Sequence, residues 1–97
     1  MLRVTKSVAA ENDLIDIWIY SFENWGAIQA DKYIDQLQDA FQFLASNPLV
    51  GVNCSDIRQG YLRYPIKEHS IFYRVENGVL KVVRVLGGDM NHDEHLP

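Results

Sequence analysis

The sequence predicts an α+β domain of order β-α-α-β-β-β, in which an N-terminal helical hairpin packs on one face of a small antiparallel sheet. Three observations predict it. Apolar residues recur at helical spacing between Leu14 and Leu44. The period changes to two after the irregular connection of residues 48–57. Asn77-Gly78 then separates two alternating runs, and this dipeptide suits a two-residue hairpin because both turn positions need positive φ.

Taken in order, Leu2 to Thr5 alternates apolar and polar residues, as a short edge strand does. Ser7 is placed to cap a helix, with Glu11, Asp13 and Asp16 near the positive end of its dipole. Leu14, Ile15, Trp18, Ile19 and Phe22 give that helix an apolar stripe, and Gly26 ends it. A second helix starts at Ala27 with the stripe Ala30, Tyr33, Ile34, Leu37, Ala40, Phe41 and Leu44, and Asn47-Pro48 stops it. The short break makes the pair an antiparallel hairpin with both stripes on one core. Residues 48–57 read as an irregular connection. Tyr61 to Tyr64 reads as a strand closed by Pro65, followed by strands His69 to Glu76 and Val79 to Leu86.

Ninety-seven residues, 47% of them hydrophobic, fit one domain spanning 1–97. There is no apolar run of membrane-spanning length and no signal-peptide pattern after Met1, and the single cysteine, Cys54, suits a reducing compartment. A cytoplasmic location is expected. Net charge is −4, which argues against general nucleic-acid affinity, but the charge is unevenly spread. Residues 51–88 carry six Lys/Arg against three Asp/Glu, whereas residues 1–50 carry three against seven.

The two-residue turn fixes a register in which Glu76 faces Val79, Tyr73 faces Val82, Phe72 faces Val83 and Ile71 faces Arg84. One face then holds Ile71, Tyr73, Val75, Leu80, Val82, Arg84 and Leu86, and the hairpin is expected to cover it. The other holds Ser70, Phe72, Arg74, Lys81, Val83 and Val85. Phe72, Val83 and Val85 are expected as an exposed apolar strip beside the opposed cations Arg74 and Lys81, a surface suited to an amphipathic acidic partner. The alternative is that residues 87–97 fold back over it.

The residues Asp13-Leu14-Ile15-Asp16-Ile17, Trp25-Gly26, Gln29-Ala30, Tyr33, Asn47-Pro48, Gly51, Asp56-Ile57-Arg58, Gly60-Tyr61, Arg63, His69, Phe72-Tyr73-Arg74, Val83-Arg84-Val85-Leu86 and Met90 run in an order and spacing that resemble the RelE/ParE toxin superfamily. Within it the chain is most similar to the ParE branch, over nearly its whole length. The resemblance implies the toxic half of a type II toxin–antitoxin pair. No phosphate loop, nucleotide fingerprint or zinc framework appears, so no cofactor or metal is expected. Such toxins act on DNA gyrase, holding the cleaved-DNA state, and are neutralised by a ParD-like antitoxin. Members commonly carry a histidine and then Met-Asp after the Arg-x-Leu strand. Here Gly87-Gly88 follow Leu86, and the later pair is Met90-Asn91.

Antitoxin docking is assigned to Phe72, Arg74, Lys81, Val83 and Val85, and target engagement to Arg58, Tyr61, Arg63, Gly87, Gly88 and Met90. A ribosome-dependent mRNA endonuclease of the RelE type is the alternative, since Arg63, Arg74 and Lys81 could hold phosphate, but Ser70 stands where a general base is needed. A non-toxic, degenerate binding module is a second alternative. His69 is read as a structural residue at the sheet end. Arg84 is expected to pair with a hairpin carboxylate or reach the sheet edge. His92 and His95, three apart with Asp89 nearby, are read as part of a polar terminus rather than metal ligands.

Overall fold

The computed structural model describes residues 1–88, 90 and 92–96. Within them the chain forms β1 (Arg3–Lys6), α1 (Val8–Trp25), α2 (Ala27–Ser46), β2 (Val52–Asn53), β3 (Leu62–Ile66), β4 (His69–Glu76), β5 (Val79–Gly87) and α3 (His92–His95). The strands make one sheet of order β1-β5-β4-β3-β2. The α+β arrangement is the expected one. Two additions lie outside the expectation: β2 within the connection read as irregular, and the short α3. The sheet is also mixed, because β1 lies parallel to β5, pairing Arg3 with Val79 and Lys6 with Val82.

Ser7 caps α1 by accepting from the Ala10 N–H at 3.0 Å. Gly26, at φ 88°, ends α1 and opens α2, a conformation that favours glycine. The hairpin turn places Asn77 and Gly78 at φ 51° and 76°, as a two-residue turn requires. Strand β3 runs through Pro65 instead of ending there. Its partner β2 pairs only with Leu62 and Arg63, so the missing N–H of Pro65 costs no ladder bond on that side.

The stripe on α1 differs from the expected one. Ala10, Leu14, Ile17 and Ser21 face the core, while Ile15, Ile19 and Phe22 are exposed and Trp18 is half-buried. Small residues at two core positions bring the helix close to its neighbours, and hydrophobicity by itself follows the larger side chains outward. On α2 the expected stripe holds: Ala30, Leu37, Ala40, Phe41 and Leu44 are buried, with Tyr33 and Ile34 partly so.

The β4–β5 register is as expected from Glu76–Val79 to Tyr73–Val82 and then shifts. Phe72 faces Arg84 and Ile71 faces Val85, leaving Val83 as the extra residue of a bulge. Every side chain beyond it changes face. Val85 joins the core under the hairpin with Ile71, Tyr73, Leu80 and Val82. Leu86 joins a second cluster on the opposite face, with Cys54, Tyr61, Phe72, Val83 and Leu96.

Tyr73 ties the two halves together. Its ring is fully buried, and its hydroxyl donates to the Pro48 carbonyl at 2.8 Å while accepting from the Gly51 N–H at 3.1 Å. Gly51 lies so close to the phenol that a Cβ there would overlap it. Burial pushes the Tyr73 pKa above its ordinary value of 10.0, against the opposing effect of the Gly51 hydrogen bond. The unfolded phenol ionises first, so the contribution of Tyr73 to stability is complete below about pH 10 and is lost as pH rises through the higher folded value. Tyr73→Phe should cost roughly 1–3 kcal/mol at neutral pH by orphaning both backbone groups. In chemical denaturation it should also show a shallower fall of stability above about pH 10 than the parent chain.

Candidate protein-interaction site

The face of the sheet away from the hairpin is closed by the chain itself. Phe72, Val83 and Val85 are 0%, 4% and 3% exposed, so the exposed apolar strip read from the sequence does not exist. Phe72 and Val83 lie beneath the loop around Cys54–Tyr61 and the segment ending at Leu96, and Val85 lies beneath α1. The His92 ring meets Phe72 edge-on, with centroids 4.9 Å apart, and its Nε2 lies 3.2 Å from the Gly87 carbonyl.

Two arginines hold this C-terminal strap. Arg58 donates to Asp93 Oδ1 at 3.0 Å and to the carbonyls of Ile57, Asp93 and Leu96. Arg84 donates through Nη1 to the His95 carbonyl at 2.8 Å. Its remaining donors grip Asp13 in a bidentate pair, Nε to Oδ2 at 2.7 Å and Nη2 to Oδ1 at 2.8 Å. The Asp13 hydrogen bond raises the Arg84 pKa, outweighing the lowering by burial. Arg84 thus meets a hairpin carboxylate as expected, but from a bulge at the strand edge. Strand β1 stops opposite Val82, so Val85 has no strand neighbour on that side, and Asp13 Oδ2 accepts its N–H at 2.9 Å.

Of the other residues assigned to target engagement, Tyr61 is buried and Arg63 reaches Ser70 Oγ at 3.4 Å. Gly87, Gly88 and Met90 border an open cleft of about 910 Å³ together with Asp16, Tyr20, Trp25 and Glu68. Asp89 and Asn91 lie outside the described residues. His69 contacts the Tyr33 hydroxyl through Nδ1 at 2.6 Å, in keeping with a structural place at the sheet end.

Arg74 and Lys81 remain at the surface. They face each other across β4 and β5 and border a cleft of about 450 Å³ with Tyr61, Val83 and Leu96. The Arg74 guanidinium lies over the Tyr61 ring, 5.4 Å from its centroid, and reaches Glu76 through Nη2. Its Nε is buried without a hydrogen-bond partner among the described residues. Two opposed cations at one concave site, only one of them paired with Glu76, favour an anionic group from outside. Sequence reasoning found both cations but not Tyr61 as the floor beneath Arg74.

Residues 4–92 match the profile of the family described as "ParE toxin of type II toxin-antitoxin system, parDE". The chain is similar to Toxin ParE1 of Mycobacterium tuberculosis (strain CDC 1551 / Oshkosh), at 40% identity over 97% of each chain. It is also similar to Toxin ParE1 of Caulobacter vibrioides, at 41% identity over 90% of each. Among solved structures it shares its fold with a chain of the "Chromosomal ParDE TA system from P. aeruginosa", with a TM-score of 0.77, 17% identity, and coverage of 90% of this chain and 96% of that one.

Proposed function

Since this chain belongs to the ParE family of type II toxin–antitoxin toxins, we propose that it arrests growth by binding DNA gyrase, and that a ParD-like antitoxin neutralises it. The action is by binding rather than catalysis, and the setting is the cytoplasm. The observation that carries the antitoxin site is the cleft at Arg74 and Lys81, whose cations face each other across β4 and β5. An acidic antitoxin segment meets Lys81 and relieves its repulsion with the Glu76-paired Arg74, and Val83 forms part of the apolar floor. Phe72 packs with Val83 beneath that floor, whereas Val85 lies under α1 on the opposite face and takes no part in it. Gyrase is met at the rim formed by Gly87, Gly88 and Met90, while Arg58 holds the C-terminal strap, Tyr61 underlies Arg74 and Arg63 reaches Ser70.

What supports binding over phosphodiester cleavage is the employment of the basic residues. Arg58 and Arg84 are committed to carboxylates and carbonyls, and Ser70 is buried. No helix among the described residues is long and apolar enough to cross a membrane.

The test is induced expression, scored for DNA breakage, translation and viability, beside a supercoiling assay with purified gyrase. We expect persistent breaks and loss of supercoiling, with translation intact at first. Co-expressing the antitoxin restores growth, and Arg74→Glu/Lys81→Glu abolishes that rescue while leaving toxicity. Message cleavage with gyrase untouched establishes the endonuclease instead, and unaffected growth establishes a non-toxic binding module.

A further inference from the structure

We propose that the outer face of the helical hairpin is a docking surface for a basic amphipathic helix of a partner protein. The surface is separate from the Arg74–Lys81 cleft, and the proposal does not depend on the gyrase and antitoxin reading.

Val8, Ile15, Ile19 and Phe22 follow one another at helical spacing along α1 and are 75%, 57%, 44% and 47% exposed. Scattered exposed apolar residues need no explanation, but an aligned helical stripe is the surface that another helix buries. Part of it is already fixed in place. The Trp18 ring stacks on Phe22 with centroids 5.2 Å apart and planes within 7°, and Trp18 Nε1 donates to Asp31 of α2 at 2.8 Å. A pre-ordered aromatic platform loses little side-chain entropy when it is covered.

Charge selects the occupant. Residues 8–46 contain seven Asp/Glu and the single cation Lys32. Asp13 is taken by Arg84, and the other six (Glu11, Asp16, Glu23, Asp31, Asp35 and Asp39) are all exposed. A lipid surface or nucleic acid is anionic and is repelled by this rim. A second copy joined through the same stripe would set these carboxylates against their equivalents. A helix with an apolar stripe and a Lys/Arg face meets the apolar and the charged requirement together. Its cations can also lie over the Trp18–Phe22 platform.

The test uses the full chain and two labelled helical peptides matched to the 18 residues of α1. They carry the same leucine face, with Lys/Arg on the polar face of one and Glu on that of the other. In fluorescence anisotropy the basic peptide should bind, and added salt should weaken it. Ile15→Asp and Glu11→Lys/Glu23→Lys should each weaken it by about ten-fold or more. All these positions are exposed, so circular dichroism melts should stay close to the parent chain, apart from a small lowering where Glu11→Lys sets a cation at the positive end of α1. Arg74→Ala/Lys81→Ala should leave the peptide affinity unchanged, which separates this surface from the antitoxin cleft. The proposal is overturned if the two peptides bind equally, if the basic one does not bind, or if both hairpin variants bind it as the parent does. It is also overturned if the free chain sediments as a dimer that Ile15→Asp converts to a monomer, since the occupant is then a second copy.

Discussion

Asp13→Ala is expected to destabilise the protein by about 3–5 kcal/mol, the range for removing one partner of a buried ion pair. Both side chains are largely shielded, at 18% exposure for Arg84 and 11% for Asp13. The carboxylate accepts two guanidinium donors and the Val85 N–H, so its loss leaves a poorly solvated cation and an unpaired strand-edge donor together. Asp13→Asn should fall between parent and alanine variant, since an amide oxygen still accepts from Val85 but gives no charge to Arg84. Urea melts measure the difference. A loss below about 1 kcal/mol in the alanine variant would class the contact with exposed ion pairs. The same pair helps seat the strap through the Arg84–His95 hydrogen bond. Proteolysis near residues 92–96 should therefore quicken in Asp13→Ala at equal fractions of folded protein.

Phe72→Ala should cost about 3–5 kcal/mol, as for a large aromatic removed from a packed core. The two views of the sheet differ most on this side chain. On a bare face its truncation would change stability by about 0.5 kcal/mol or less. In the structure Phe72 has no exposed surface and packs with Tyr61, Val83, Leu86 and Leu96 under the C-terminal strap. Thermal or urea denaturation of the purified variant decides between them, and a near-neutral result means that the strap does not rest on the sheet in solution.

The elements were largely legible in the sequence because each rests on local chemistry. Ser7 caps a helix, Gly26 breaks one, Asn77-Gly78 turns a hairpin, and apolar spacing on α2 marks its inner face. Misreadings arose where a distant segment set the outcome. Ala10 and Ser21 face the core because small side chains permit close approach, which hydrophobicity does not record. Residue type gives no notice of a bulge at Val83, yet that one extra residue sends Val85 beneath α1 and Leu86 to the opposite face. The cations Arg74, Lys81, Arg58 and Arg84 could all be singled out from sequence. Their division into a pair at a surface cleft and a bracing pair depends on Asp13, 71 residues before Arg84, and on Asp93, 35 residues after Arg58.

By itself, then, the sequence determined the order of the two long helices and of the strands other than β2, the hairpin turn, the family resemblance and the uneven charge. Only the tertiary structure decided which faces are covered and which cations are already satisfied. Periodicity and turn chemistry act over a few residues, whereas burial and ion pairing are settled by whichever segment the folded chain brings alongside.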